Sequence, residues 1–142
     1  MAGSIVASSQ GSEALSGACT KLVGASSFSA SSYNVKFKGI FGDKPFKKDG
    51  TNGYRNMTLK TILQLNSGDD EAGINDVNIG LVVMYLNAAN HGNSGIYYTA
   101  AETHGSLDAY AKYLYAEAKT NPATVGALLS DTIAKYSSLS TC

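Results

Sequence analysis

Basic and amide side chains are concentrated between residues 33 and 64, at a spacing that suits contact with phosphate groups. In YNVKFKGIF (33–41) two lysines occupy alternate positions, and in YRNMTLKTILQLN (54–66) polar residues alternate with apolar ones. Lys and Arg bind phosphate oxygens, while Asn, Thr and Gln exchange hydrogen bonds with bases and sugars. The pattern therefore predicts a nucleic-acid-binding face made of seven residues: Lys36, Lys38, Arg55, Asn56, Thr58, Lys60 and Gln64.

A second interpretation of the same residues is an ordinary solvated surface. Lys, Thr and Asn are typical of any solvent-exposed strand, and lysines in particular keep sheet edges from pairing with other chains. Lys47 and Lys48, in the turn between the two runs, add positive charge under either interpretation. The residue types alone leave both interpretations open.

Residues that could perform catalysis lack the spacing that catalysis needs. HGNSG (91–95) does not have the Gly-x-Ser-x-Gly pattern that activates a serine, so Ser94 is not predicted to be a nucleophile. His91 and His104 are thirteen residues apart, which matches no metal-binding motif and is typical of loop histidines. We predict a protein that is not an enzyme, with no catalytic residue, metal site, cofactor or small-molecule substrate.

An acidic group lies in SGDDEAGIND (67–76). Its carboxylates could hold a hard cation, but the alternating ligands and the fixed glycine of a calcium loop are missing. The composition is typical of a solvated acidic turn, and we interpret these four residues in that way: Asp69, Asp70, Glu71 and Asp76.

The two runs that carry the basic residues have the period of two expected for half-buried strands. Between them, GDKPFKKDGTNG contains Asp-Gly and Asn-Gly, the dipeptides favoured in tight turns. The pattern predicts an antiparallel pair with a basic face and an apolar face. The apolar face would hold Tyr33, Val35, Phe37, Met57, Leu59, Leu63 and Leu65.

The second half of the chain has helical signals. VNIGLVVMYLN (77–87) fits a central strand by its Val and Ile content, and a helix capped by Asp76 competes with that interpretation. From Ser106, a predicted N-cap, apolar residues recur at helical spacing: Leu107, Tyr110, Ala111, Leu114 and Ala118. A second helix is predicted to start at Asn121 and Pro122, with this apolar stripe: Val125, Leu128, Leu129, Ile133 and Tyr136.

These elements predict the α+β class, with an antiparallel β-sheet followed by two C-terminal helices packed on one face of the sheet. The length suits a single domain, 1–142, since domains most often have about 100–150 residues. We divide it into a polar segment with a weak strand signal (1–32), antiparallel strands (33–87), a loop insert (88–105) and a helical hairpin (106–142).

The charge composition is compatible with self-association, and it also fits an ordinary neutral soluble protein. The net charge is zero and only 15% of residues are charged, against about 25% in an average globular protein. Residues 1–60 carry eight basic and three acidic side chains, and residues 61–142 carry three and eight. Such halves can form a basic binding face backed by acidic helices, or can pack head to tail between subunits. Within one domain they can also simply neutralise each other.

The N-terminal residues have neither the basic region nor the apolar run of a signal peptide, and no segment approaches the roughly 18 apolar residues of a membrane span. We therefore predict folding in the cytoplasm and no contact with membranes. Cys19 and Cys142 match no metal motif, and their spacing defines no disulfide framework. Free thiols are usual in that compartment, and a bond between them or between subunits stays open.

This order of elements resembles the coat proteins of small single-stranded RNA bacteriophages, over residues 33–87 and 106–142. The resemblance implies an interlocked homodimer whose helices cover the partner's sheet, and dimers that tile an icosahedral shell. It also implies a virion protein, assembled in the host cytoplasm, whose sheet binds genomic RNA through Lys36, Lys38, Asn56, Thr58, Lys60 and Gln64. SGDDEAGIND (67–76) would be the loop gathered at the symmetry axes.

An alternative function is a subunit of an extracellular filament or a pilus-like fibre. It would explain the low charge, the nine tyrosines and the opposite charges of the two halves through head-to-tail packing. A small enzyme or ligand-binding domain is the third hypothesis, and it lacks a recognisable site.

Overall fold

The computed structural model describes residues 34–47, 53–65, 74–89 and 105–137. Across these ranges the β-structure is one isolated antiparallel bridge, between Lys36 and Thr58. The predicted α+β class with its antiparallel sheet is therefore wrong, and this part of the chain is helical. Its five helices are α1 (Phe37–Phe41), α2 (Leu59–Leu63), α3 (Ile74–Ala89), α4 (Leu107–Thr120) and α5 (Pro122–Ser137).

The first predicted strand is replaced by helix α1. A strand would place Ile40 opposite Phe37 and Phe41, whereas a helix places all three on one face. In the structure both phenylalanines are buried and stack with ring centroids 4.3 Å apart, and Ile40 packs against the same core. Val35, which the strand pattern assigned to the core, is 45% exposed. The helical period thus buries more apolar surface here than the strand period does.

Helix α2 replaces the second predicted strand for the same reason. The strand pattern left Ile62 on the polar face, and the helix buries it beside Leu59. Thr58 caps this helix, since its hydroxyl accepts a hydrogen bond from the Thr61 N–H at 3.2 Å. Of the predicted strand pairing only the bridge remains, with the Phe37 N–H donating to the Met57 carbonyl at 3.0 Å.

Helix α3 settles the strand-or-helix alternative for residues 77–87 in favour of the helix. Most of its sixteen residues are buried, and they lie on all sides of its axis. A helix that is enclosed on all sides has no polar face, so its sequence has no helical period. Asp76 lies inside its first turn and does not cap it, because the helix begins at Ile74.

Helices α4 and α5 lie where the sequence predicts two C-terminal helices. The Ser106 hydroxyl accepts from the Ala109 N–H at 3.0 Å, and the Asn121 side chain accepts from the Thr124 N–H at 3.3 Å. Both predicted caps are therefore confirmed, and Pro122 is the first residue of α5. The predicted core positions that are buried are Tyr110, Ala111, Leu114, Ala118, Val125 and Leu129.

The core of the described residues is built around α3. Helices α2, α4 and α5 contact it, and α1 packs on α4. Helices α3 and α5 approach each other closely at Gly80, where a Cβ atom would lie 2.8 Å from the Leu129 Cβ of α5. The C-terminal helices thus cover a helix of their own chain, so the interlocked arrangement over a partner's sheet is wrong together with the sheet.

Some predictions concern residues outside the described ranges. These include the segment 1–32, Tyr33, the turn residues 48–52, residues 66–73, most of the insert 88–105 and the end of the chain after 137, with both cysteines and both histidines. The division into one domain, 1–142, stays a prediction for that reason. None of the helices in the described ranges has the length and hydropathy of a membrane-spanning segment.

Candidate nucleic-acid interface

The single β-bridge gathers most of the predicted RNA-binding residues, although the sheet is absent from the described ranges. It places Lys36 beside Thr58, and the turn before it carries Arg55 and Asn56. The Lys38 Nζ atom, on α1, donates to the Asn56 Oδ1 atom at 3.3 Å. Five of the seven residues therefore lie at one place, joined by the bridge and by this hydrogen bond.

The two other predicted residues lie on α2. Lys60 is half-buried within the helix, and Gln64 is its exposed C-cap, six residues and about 9 Å along the helix from Thr58. The Thr58 hydroxyl caps the helix, so its role in the structure is local.

Beside these residues is a cavity of about 340 Å³ with a polar, mainly basic lining, which we call the basic cavity. Three cations, one carboxylate and a glycine line it, and they come from α1, the loop after it and the turn before α2. The sequence pattern did not predict Asp43 and Lys44 as site residues, since their only signal was their place in the turn segment GDKP. The lining residues are Lys38, Gly42, Asp43, Lys44 and Arg55.

Gly42 gives the basic cavity its shape. It has a φ of 86°, in the left-handed region that favours glycine, and its N–H donates to the Lys38 carbonyl at 3.0 Å. The helix therefore ends there, and the chain turns so that Asp43 and Lys44 line the same cavity as Lys38. The Asp43 Oδ1 atom accepts from the Lys44 N–H at 2.7 Å, which orients the carboxylate.

The loop after α1 is held from both sides by side chains of longer helices. The Tyr115 hydroxyl, on α4, donates to the Lys44 carbonyl at 2.7 Å, and its ring stacks on Phe46 with centroids 4.7 Å apart. The Asn78 side chain, on α3, accepts from the Phe46 N–H and donates to the Phe46 carbonyl, both at 2.9 Å. The backbone of this loop is thus held before any ligand arrives, which lowers the ordering cost of binding.

The electrostatics keep the Tyr115 contact intact over a wide pH range. Burial raises the pKa of Tyr115 from 10.0 to about 12, and the negative charge of Asp43 contributes to this rise. The hydroxyl is therefore protonated at physiological pH and remains a hydrogen-bond donor to Lys44. Nearby, the Lys47 Nζ atom lies 4.9 Å from the centroid of the Tyr54 ring, a cation–π contact.

The groups that line the basic cavity suit the binding of anions. Arg and Lys supply charged donors for phosphate oxygens. Among the described residues no group of three or more His, Cys, Asp or Glu could hold a metal ion. The arrangement supports recognition of a ligand.

A second cavity, of about 230 Å³, lies between α3 and α5. Its lining is mostly apolar and includes Ile79, Val83 and Ile133, with Asp76 at its edge. Asp76 is the member of the predicted acidic turn that lies within the described residues, and the other three lie outside them. This cavity is the weaker candidate because it offers few polar groups to orient a ligand.

Comparisons with known proteins add no relative. No protein-family model matches the chain, and no curated protein or solved structure matches it significantly.

Proposed function

We propose that this protein is a structural, self-assembling subunit that binds RNA, the role that coat proteins of small RNA bacteriophages have. In this role it would assemble with RNA in the host cytoplasm and become part of the virion. The observation that carries the proposal is the convergence of Lys38, Lys44 and Arg55 on the basic cavity. The sheet that the resemblance implied has no part in the proposal, since α1, the loop after it and the turn before α2 supply the cations.

Phosphate is the ligand that this convergence favours. Three cations that line one cavity with a single carboxylate repel one another, and an anion placed between them relieves that repulsion. The cations come from three segments, so the fold and not a local run of lysines brings them together. Lys36 is exposed beside the bridge, and it would contact a further phosphate of a strand that crosses the cavity.

The charge distribution supports self-assembly. Residues 1–60 carry eight basic and three acidic side chains and residues 61–142 carry three and eight, while the net charge of the chain is zero. Copies of the chain can therefore attract each other through oppositely charged halves without long-range repulsion.

The binding experiment compares single-charge variants against a short single-stranded RNA by fluorescence anisotropy. Arg55→Ala, Lys38→Ala and Lys44→Ala should each cost about 1 kcal/mol, a roughly fivefold higher Kd, because each removes a charged donor to phosphate. The slope of log Kd against log salt concentration should fall by about 0.7 for each phosphate that the variant no longer neutralises.

The matched control is Lys119→Ala. Lys119 is exposed in the last turn of α4, seven residues and about 10 Å along the helix from Lys112, which lies beside Gly42. The control removes the same charge and should leave the Kd nearly unchanged. An equal loss of affinity for Lys119→Ala and Arg55→Ala would show that only the net charge of the protein affects binding. An unmodified protein that binds no RNA would refute the proposal.

A further inference from the structure

We propose that the basic cavity distinguishes RNA from DNA, with the Asp43 carboxylate accepting a hydrogen bond from a ribose 2′-hydroxyl while Lys38, Lys44 and Arg55 hold the adjacent phosphate. The inference rests on the proposed RNA binding and adds the residue that selects the sugar. Its ligand class is a phosphorylated ribose within a single strand.

The Asp43 carboxylate is the feature that indicates a ligand with more than a phosphate group. An ionised carboxylate only accepts hydrogen bonds, so it repels a phosphate and cannot donate to it. A cavity that served phosphate alone would be weakened by Asp43, which lines it together with the three cations. A ligand that carries both an anion and a hydroxyl donor satisfies all four charged groups at once.

The ribose 2′-hydroxyl is such a donor, and it lies close to the backbone phosphates. It is the group by which proteins tell RNA from DNA at a given site. The basic cavity is open to solvent, with Gly42, Asp43 and Arg55 exposed, so a phosphate and its sugar can approach the lining residues together.

The carboxylate is oriented before the ligand binds. The Lys44 N–H donates to the Asp43 Oδ1 atom at 2.7 Å, and the Lys44 carbonyl is fixed by the Tyr115 hydroxyl. A carboxylate has about four acceptor positions, so this one bond sets its direction and leaves capacity for a ligand hydroxyl. Gly42, with its left-handed backbone, fixes the point where the chain turns into the cavity.

The experiment measures the Kd of the full chain for three uridine 12-mers by fluorescence anisotropy: ribose, 2′-deoxyribose and 2′-O-methyl ribose. The unmodified protein should bind the ribose strand roughly tenfold more tightly than either of the others, because both lack the 2′ donor. Asp43→Ala should abolish this ratio and tighten binding of the deoxyribose strand, because a negative charge leaves the cavity. A merely disrupted loop would weaken binding of all three strands.

Two further variants test whether the Asp43 carboxylate itself causes the preference for ribose. Asp43→Asn preserves the size of the side chain and one neutral acceptor, so the ratio should fall to about threefold. Asp131→Ala removes an exposed carboxylate from α5 and should leave the ratio at its original value.

The outcomes separate this inference from the proposed function. Equal binding of ribose and deoxyribose strands by the unmodified protein would overturn the selection of the sugar and leave phosphate binding intact. A preference for ribose that survives Asp43→Ala would also overturn it. No binding of any strand would refute the proposed function itself.

Discussion

At the scale of the residue, Tyr115 connects the basic cavity to the core. Its hydroxyl donates to the Lys44 carbonyl, its ring stacks on Phe46, and the edge of the ring meets Phe37 at a centroid distance of 6.1 Å. Because Tyr115 is on α4, these contacts fix the loop after α1 relative to a long helix. One side chain therefore carries both a packing role and a positioning role.

Tyr115→Phe separates these two roles, since it removes the hydroxyl and keeps the ring. We expect the free energy of unfolding to fall by about 1 kcal/mol, because the variant cannot form the hydrogen bond of a largely buried group. The Kd for RNA should rise about twofold to threefold, because a less ordered loop increases the entropy cost of positioning Lys44. Urea unfolding measures the first effect and fluorescence anisotropy the second.

The control is Tyr113→Phe, on the same helix. The Tyr113 hydroxyl donates to the Glu117 Oε1 atom at 3.4 Å, within α4 and not to the loop. Its removal should leave RNA affinity unchanged. Equal affinities of the unmodified protein and Tyr115→Phe would show that the loop needs no support from this hydroxyl.

At the scale of the element, the contact between α3 and α5 depends on the missing side chain of Gly80. A Cβ atom there would lie 2.8 Å from the Leu129 Cβ and 3.1 Å from its Cδ1. The nearest atom belongs to the base of the leucine side chain, which moves only with its backbone. The two helices can approach this closely only while residue 80 is a glycine.

Gly80→Ala should destabilise the protein by about 1–3 kcal/mol, because α5 must shift to admit a methyl group into a packed core. The matched control is Gly39→Ala, in α1, where a Cβ atom would meet nothing within 4 Å. That substitution should be neutral or stabilise by up to about 1 kcal/mol through the better helix propensity of alanine. The midpoint of urea unfolding measures both, and equal midpoints would contradict the packing argument.

The elements also differ in how far the sequence could predict them. Helices α4 and α5 carry capping residues and are long enough to show a polar and an apolar face, so their period is visible. Helices α1 and α2 have five residues each, and over so short a run two-residue and helical spacings coincide at several positions. The sequence of helix α3 shows no helical period because its buried residues lie on all sides of the helix axis.

The candidate site was predicted in part for a related reason. Lys38, Arg55 and Asn56 do come together, because the two segments that carry them meet in the structure, at a single bridge instead of a hairpin. Asp43 and Lys44 could not be assigned from spacing, since their place depends on the left-handed turn at Gly42 and on a hydroxyl from α4. The hydrogen bond from the Tyr115 hydroxyl to Lys44 joins residues far apart in the chain, so no local sequence pattern predicts it.

At the scale of the whole molecule, opposite charges would govern how copies of the chain meet. Residues 1–60 have an excess of basic side chains and residues 61–142 an excess of acidic ones, so the two halves of the chain are oppositely charged. Attraction of this kind weakens as salt screens it, with a Debye length of about 8 Å at physiological ionic strength. Assembly and RNA binding should therefore respond to salt in the same direction.

Expression in bacteria followed by size exclusion tests the assembly directly. We expect the protein to elute as large particles with excess absorbance at 260 nm over 280 nm, and negative-stain microscopy to show closed shells. The double variant Lys38→Ala with Arg55→Ala should carry less RNA per subunit, while Lys119→Ala should match the unmodified protein. Fibres would favour the filament alternative, and a monomer free of nucleic acid would contradict the coat role.

The enclosure of α3 has a consequence for how the protein is made in the cell. The helices α4 and α5 that cover it are synthesised later, and 48 residues separate Ala89 from the end of α5. At about 5–20 residues per second, the ribosome needs roughly 2–10 s to add them. Until α5 is complete, the mostly apolar α3 lacks part of its cover. We expect the nascent chain to expose apolar surface over that interval, so slow translation beyond Ala89 should favour its binding to chaperones.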